Sequence, residues 1–460
     1  MINSQLPILN SQDTICALAT ASGGAIGIIR VSGPQTFAIV STLCSLCCDT
    51  VAANTIHYTH IIDGTTVIDE VLVSLFRAPH SYTGEDSVEI SCHGSSYILN
   101  KVLELLVQNG CRMANPGEYT QRAYLNGKLD LSQAEAVADL IASTNKATHN
   151  MAMSQLRGHF STELATLREQ LLKLTSLLEL ELDFSDHEDL EFADRTELLQ
   201  LAQTIDQRIV RLAQSFETGQ ALKNGIPVAI VGKTNVGKST LLNRLLKDDR
   251  AIVSDVHGTT RDTVEDTMLL NGICFRIIDT AGIRQTDDTV ERIGIDRTYQ
   301  AMEKAKIILW VIDEIPTAAE IDHIRHRADG KSLITIWNKA DIHPYSPDSQ
   351  LDAIAIDAIA ISAKNSENIE TLERAIYSAA NIPKYNENDV IVTSARHYDA
   401  LSHAHHNLLR VLDGLQSSLS GDLLAEDLHL VLSNLSDITG GSITPQETLN
   451  NIFSHFCVGK

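Results

Sequence analysis

Apolar positions change their texture three times along this chain. From Thr14 to about Val107 they come in short runs, at 26–31, 71–76 and 88–91, set between Gly, Pro and Ser turns and helical stretches, which predicts a mixed α/β domain. From Leu131 onward the spacing lengthens. Leu164, Leu167, Leu171, Leu174, Leu178 and Leu182 fall three or four apart, as do Leu198, Leu201, Ile205, Ile209 and Leu212, so each series makes one apolar stripe on a bundle helix. At Gly225-Ile226-Pro227 the pattern switches to apolar strands alternating with helices, at 228–231, 273–278, 307–312, 333–337 and 359–362, the order expected of a parallel sheet with crossover helices. After Pro383 helical periodicity returns through Leu401, Leu408, Leu412 and Leu415, then Leu428, Leu432 and Leu435. The reading is an amino-terminal α/β domain over 1–125, a helical domain split into 126–220 and 385–460, and an α/β module over 221–384 inserted between its halves.

Composition adds limits. With 460 residues, 43% hydrophobic and 21% charged, the chain is an ordinary globular protein of several domains. Acidic residues outnumber basic ones, 59 to 36, and the formal charge of −23 argues against a surface that coats nucleic acid or anionic membrane by charge alone. Residues 179–197 hold nine acidic residues against Arg195; they read as a solvated helix end and turn, with a cation or partner site as the alternative. The longest aliphatic run, 307–312, is far below the ~20 residues of a membrane span. Eight scattered cysteines and an opening without basic or apolar leader character predict a reduced, cytoplasmic protein. Cys44, Cys47 and Cys48 lack a second ligand cluster, so they read as core or surface thiols, and His403, His405 and His406 as a solvated helix face.

The candidate chemistry lies first in the inserted module. Gly232-Lys233-Thr234-Asn235-Val236-Gly237-Lys238-Ser239 fits G-x-x-x-x-G-K-[ST], directly after an apolar strand and before the helical stretch that begins at Thr240. Backbone N–H groups there can cradle phosphates, Lys238 can reach the β and γ oxygens, and Ser239 can hold Mg²⁺. In Asn338-Lys339-Ala340-Asp341 the Asp341 carboxylate can accept paired hydrogen bonds from the N1–H and exocyclic amine of guanine, a donor pair that adenine lacks. Ser362-Ala363-Lys364 closes the last strand where the guanine O6 is usually supported. Asp279-Thr280-Ala281-Gly282 ends the second strand, with Asp279 for the Mg²⁺ shell and Gly282 for the γ-phosphate. Four elements in this order describe a Ras-like P-loop G domain that binds GTP. Two departures stand out. Ile283 occupies the place of the glutamine that orients water in Ras-like proteins, so another group must do that work. Asn235 lies inside the phosphate loop, with Gly258-Thr259-Thr260-Arg261-Asp262 in the switch region.

With those residues in view, the whole chain resembles the MnmE (TrmE) family of tRNA-modification GTPases, from Asp13-Thr14-Ile15 to Cys457-Val458-Gly459-Lys460. The resemblance implies a K⁺ ion beside the nucleotide phosphates, held by Asn235, the carbonyls of Ser254 and Val256, and Thr259, while Thr260 joins Ser239 on Mg²⁺. Asp255, His257 and Gly258 complete the switch stretch expected around GTP. It also reads Glu291 as the group that orients water; the residue alone would pass for a helix N-terminal carboxylate favoured by the dipole.

Further family matches are Ile28 to Gly33; Tyr82 to Asp86 with Glu89 and Cys92-His93-Gly94; and Pro116-Gly117-Glu118 through Arg122-Ala123 to Lys128 and Leu131. These imply that 1–125 is a folate-binding and dimerisation domain, taking a 5-formyl- or methylene-tetrahydrofolate through Arg30, Glu89, Lys128 and Lys460. A carboxylate such as Glu89 suits the amino and ring N–H edge of a pterin, and the cations suit its glutamate tail or carbonyl. The turn 19–24 is shorter than the family's and lacks its arginine. Cys457, in the family's terminal Cys-x-Gly-Lys, is implied in tRNA modification, which requires the last helices to fold back toward the amino-terminal domain; Gly459 and Lys460 do not fit a prenylation box. The expected partners are a second copy of the chain, the flavoprotein MnmG in a heterotetramer with FAD on the flavoprotein's side, and tRNA, with no membrane. A ribosome-associated regulatory GTPase is the rival reading. It expects a basic RNA-binding extension, which this acidic chain lacks.

Overall fold

A computed structural model of the chain describes residues 13–21, 23–183, 195–247, 266–278, 291–343, 357–382, 389–417, 419–441, 446–454 and 456–459, without the side chains of 180–183, 247, 291–297, 446, 447, 450 and 451. In chain order the first elements are β1 (Ile15–Leu18), β2 (Ile26–Ser32), α1 (Thr36–Leu43), β3 (Thr55–Asp63), β4 (Thr66–Phe76), β5 (Ser87–His93), α2 (Ser96–Gln108) and β6 (Arg112–Met113). Helices follow: α3 (Glu118–Leu125), α4 (Leu131–Ala142), α5 (Lys146–Leu156), α6 (His159–Asp183) and α7 (Arg195–Asn224). Then come β7 (Ile226–Val231), α8 (Lys238–Lys247), β8 (Asp266–Leu270), β9 (Ile273–Ile277), α9 (Glu291–Lys304), β10 (Ile307–Ile312), α10 (Ala318–Arg327), β11 (Ser332–Trp337), β12 (Ala358–Ala360) and α11 (Ile369–Ala379). The last are α12 (Ala395–Gln416), α13 (Gly421–Thr439) and α14 (Gln446–Ser454).

Two compact units result: Met1–Ala142 with Ala152–Val210 and Asp399–Lys460, and Ser143–Met151 with Arg211–Tyr398. In the first, strands run in the order β3-β4-β5-β2-β1-β6, antiparallel except for the β1/β6 pair. Alternation along β5 shows how the sheet is used. Val88, Ile90 and Cys92 enter a core with Phe37, Val40, Leu99, Val102 and Leu106 of α1 and α2, while Glu89, Ser91 and His93 lie on the other face. Strand β3 escaped the sequence reading because Ile56 and Tyr58 stand on that outer face, 67% and 63% exposed, so apolar and buried do not coincide there. The helical stripes read from the sequence are buried at Leu164, Leu167, Leu171, Leu174 and Leu178 on α6 and at Leu198, Ile205, Ile209 and Leu212 on α7, while Leu201 is half-buried.

The second unit holds a sheet in the order β12-β11-β10-β7-β9-β8, parallel except where β8 meets β9. Strand β10, Ile-Ile-Leu-Trp-Val-Ile, is buried throughout because helices cover both faces of a parallel sheet. Its side chains divide between two cores. Ile307, Leu309 and Val311 pack with Val228 and Ile230 against Leu241, Leu242, Leu372 and Ile376. Ile308, Trp310 and Ile312 pack with Ala229 and Val231 against Met302 and Ile321. The last turns of α7 join this unit: Ser215 Oγ accepts from the Val392 N–H at 3.0 Å, and Gln220 Nε2 donates to the Thr393 carbonyl at 2.8 Å. No described helix is long and apolar enough to cross a membrane.

Candidate functional site

The phosphate loop is built where β7 ends and α8 begins. Gly232, Asn235 and Gly237 have φ of 149°, 63° and 96°, the left-handed region that glycine adopts freely and asparagine tolerates. A Cβ on Gly237 would strike the Asn338 amide nitrogen, so glycine is required by the approach of the base-reading loop. Lys238 Nζ lies across the loop, donating to the carbonyls of Gly232 at 2.7 Å and Lys233 at 2.5 Å. Burial pushes that ammonium's pKa down, which favours any oxyanion brought beside it. Ser239 and Thr240 are the second and third residues of α8.

Asn338 is the pivot. Only 2% exposed, it donates from Nδ2 to the Val236 carbonyl at 2.8 Å and accepts the Ala363 N–H on Oδ1 at 3.1 Å, tying the phosphate loop, the Asn-Lys-Ala-Asp turn and the Ser-Ala-Lys turn together. Asp341 is aimed by Ser362, whose hydroxyl donates to Oδ1 at 2.8 Å, and the Ala340 N–H donates to the Ile361 carbonyl at 3.1 Å. Lys339, with φ 63°, pairs with Asp313 at 2.6 Å; Lys364 follows at the same turn. These groups gather at the carboxyl ends of β7, β10, β11 and β12, where ligands bind in open parallel sheets. Lys233 adds a tie the sequence did not signal. It pairs with Glu314 at 2.8 Å and with Glu320 at 3.0 Å, and Glu320 also closes a capping box with Thr317 at the start of α10. Ser254, Asp255, Val256, His257, Gly258, Thr259, Thr260, Asp279, Thr280, Ala281, Gly282 and Ile283 lie outside the described residues, as does the side chain of Glu291 at the head of α9.

A second constellation lies on the outer face of the amino-terminal sheet. Arg30 on β2 faces Glu89 on β5 across the ladder, and its Nε and Nη2 both donate to Glu89 Oε1, at 2.9 and 2.6 Å. Glu89 Oε2 has no partner among the described residues, so one carboxylate oxygen can still accept. The Tyr82 and Tyr119 rings each sit 5.5 Å from the Arg30 guanidinium carbon. Burial raises the pKa of both phenols. Tyr119 donates to the Arg30 carbonyl at 2.7 Å, and Tyr82 shares a 2.8 Å hydrogen bond with Thr120. Lys128 Nζ donates to the Pro79 carbonyl at 2.9 Å, beside the turn that carries Tyr82.

Beneath this lies a buried ion ladder. Arg122, 3% exposed, pairs with Glu85 at 3.1 Å and Glu118 at 3.0 Å, and Glu118 also takes Arg112 at 2.7 Å. Burial pushes the Glu118 carboxyl upward, but Arg112, the Asn115 N–H and Arg122 overcome it and hold the group below its ordinary value. The chain's last described residues close on the same site. Arg30 Nη1 donates to the Gly459 carbonyl at 3.3 Å, and the Gly117 N–H to that of Cys457 at 3.3 Å. A Cβ on Gly459 would strike the Leu18 carbonyl, and its φ of 95° is glycine's. Cys457 is exposed beside this arrangement; Lys460 lies outside the described residues.

The sequence did not signal Asp313, which belongs to no contiguous motif of its own; Tyr82 and Tyr119 lie within stretches that match the family, but nothing in those stretches sets their rings beside Arg30. Cys44 and Cys48 are buried, their thiols donating to the carbonyls of Val40 at 3.1 Å and of Leu46 at 3.9 Å, and Cys47 is exposed. Among the described residues no cluster of His, Cys, Asp and Glu suits a metal ion. His405, expected on a solvated face, instead meets Asp206 of α7 at 2.6 Å.

Residues 131–457 match the family described as MnmE helical domain, and residues 14–128 match GTP-binding protein TrmE N-terminus. A protein of Phocaeicola vulgatus called tRNA modification GTPase MnmE is 53% identical, over 98% of this chain and 99% of its own. Proteins of the same name from Bacteroides thetaiotaomicron and Flavobacterium johnsoniae are 54% and 48% identical, each over 98% of this chain and 100% of theirs. Among solved structures, a GTP-binding protein from Sulfolobus solfataricus in complex with GDP is 19% identical with a TM-score of 0.26, covering 47% of this chain and 67% of its own. A likeness at that score carries no inference about this chain.

Proposed function

The chain belongs to the MnmE family of tRNA modification GTPases, and from that premise we propose a potassium-activated GTP hydrolase that modifies the wobble uridine of certain tRNAs. Its direct reaction is GTP plus water, linked to tRNA modification. The observation that carries guanine recognition is the Asn338 pivot with Asp341 aimed by Ser362. An Asp341→Asn variant should lose GTP turnover and gain turnover of xanthosine triphosphate, whose base offers the complementary pattern. A variant that hydrolysed both as the wild type does would remove this reading.

In the fuller proposal Ser239 and Thr260 hold Mg²⁺, and Asn235, Ser254, Val256 and Thr259 hold K⁺ beside the phosphates, supplying the charge an arginine finger gives elsewhere. That share is about 10³ in rate, or ~4 kcal/mol. Glu291 orients the water. The outer face of the amino-terminal sheet takes a tetrahydrofolate carrying a one-carbon unit. The free oxygen of Glu89 meets the pterin edge, Arg30, Lys128 and Lys460 meet its carbonyl or glutamate tail, and Cys457 acts beside them in the modification. The protein works in the cytoplasm as a homodimer, to which the exposed Ile56, Tyr58 and Leu72 of β3 and β4 are suited. Together with the flavoprotein MnmG, as a heterotetramer, it builds an aminomethyl or carboxymethylaminomethyl group on C5, and GTP hydrolysis drives opening and closing of paired G domains. Turnover no faster in KCl than in NaCl would remove the potassium role.

A further inference from the structure

Beyond Arg30 and Glu89, the outer face of β2 and β5 continues through Ile28 opposite Ser91 to Ile26 opposite His93. There the structure holds a dyad. Asp69 of β4, 8% exposed, accepts the His93 N–H at 2.9 Å on one oxygen and lies 2.7 Å from His93 Nδ1 on the other. The ring itself is open, with 71% of the side chain exposed, and among the described residues Nε2 has no partner. A buried carboxylate on Nδ1 fixes one tautomer and aims Nε2 outward, the arrangement by which a histidine is prepared to exchange a proton with something bound in front of it. The surroundings leave the ring to Asp69. Glu70, next to it on β4, is taken by Tyr58 at 2.6 Å and His60 at 3.7 Å; Lys101 of α2 is taken by Asp63 at 3.1 Å and Glu104 at 3.4 Å. Cys92 is buried, its thiol pushed up to about 12 by burial and by the Asp69 charge. Strand β2 presents Ile26, and α2 opens with Ser96 and the exposed Tyr97. Gly94 is locked against the glycine turn: its N–H donates to the Ala25 carbonyl at 2.9 Å, and a Cβ there would strike that of Gly24. The dyad therefore has a rigid seat.

Glu89 and His93 share a strand face four residues apart, about 13 Å along the strand. We propose that His93 is a general acid at the amino-terminal site: Nε2–H delivers a proton to the carrier nitrogen from which the one-carbon unit departs. The inference rests on the folate reading given above. As the carbon forms its new bond to C5 of the uridine, which gives up its own hydrogen to water as a proton, the C–N bond breaks, its electron pair returns to nitrogen, and that nitrogen takes the proton from Nε2; the neutral ring then takes another from water, to which it is open. Asp69 holds the imidazolium through Nδ1–H and so positions the donor.

The test uses the full-length chain, added to an extract of cells lacking it, with wobble nucleosides followed by mass spectrometry across neutral pH. Proton transfer of this kind contributes 10²–10⁴-fold. His93→Asn should therefore slow modification by about 100-fold or more while saturable tetrahydrofolate binding is kept. The donor is the protonated ring, so the wild-type rate falls as pH rises, and that limb should vanish in His93→Asn. Added imidazole should restore part of the rate to His93→Gly, which a merely misfolded variant would not regain. A His93→Asn rate within about twofold of wild type, or a limb that persists in His93→Asn, overturns the general acid. Absence of saturable tetrahydrofolate binding in the wild type overturns the site assignment itself, a result that reads separately.

Discussion

The described residues form two six-stranded sheets, and they place chemistry in opposite ways. On the second sheet the groups proposed to hold the nucleotide come as contiguous words, Gly-Lys-Ser and Asn-Lys-Ala-Asp, because its parallel strands end in turns at the same edge and each turn contributes its neighbours together. On the antiparallel sheet they arrive singly, from the middle of β2 and β5, from α3, and from the end of the chain, because only alternate residues of a strand reach a given face. A site made of turns can be lost one turn at a time, whereas a site made of a sheet face is held by what lies beneath it.

The sharpest way to break this contrast is Lys238→Ala, which should cost GTP turnover 10³-fold or more, some 4 kcal/mol, while leaving tetrahydrofolate binding alone. Parallel loss of both in steady-state turnover and equilibrium dialysis would show that the two sites are not separable. Glu118→Ala tests the other half. It leaves Arg122 and Arg112 short of a buried partner and should cost about 3–5 kcal/mol in denaturant unfolding of the first unit, with folate binding lost alongside. Folding lowers the Glu118 pKa, so its contribution is whole above the unfolded value of about 4.3 and disappears as pH falls through the lower folded value. Acid should thus loosen the amino-terminal face, and Glu118→Gln should flatten that dependence in pH-resolved melts. Smaller is Glu320→Ala, which removes a capping box and one of the two carboxylates on Lys233. It should lower the second unit's stability by about 1 kcal/mol in thermal melts. Smallest is Cys457→Ser at an exposed position: melting should hold within about 0.5 kcal/mol, and only wobble-nucleoside content should fall.

Legibility in the sequence follows the same divide. The strand at 307–312 is observed at those limits, because a run buried on both faces has no competing pattern. The phosphate loop and base-reading turns were recognisable by spacing alone, since their residues are neighbours. Arg30 and Glu89 could be named through resemblance, but that they bond to each other could not, because cross-strand register is invisible until β2 and β5 are aligned. Tyr119 above Arg30 and Asp69 behind His93 left no local trace; each contact joins segments set by the packing of the sheet. The helical stripes were readable as buried faces, yet not which helix each would meet.

The bond from Arg30 to the Gly459 carbonyl spans 429 positions. At 5–20 residues per second a ribosome takes roughly 20 to 90 s to travel that distance. The nascent first sheet must therefore wait, its guanidinium already clasped by Glu89 but its closing carbonyl still unsynthesised. A stalled or truncated translation product would carry a finished nucleotide module behind an open amino-terminal face, a species that quality control could tell from the mature protein.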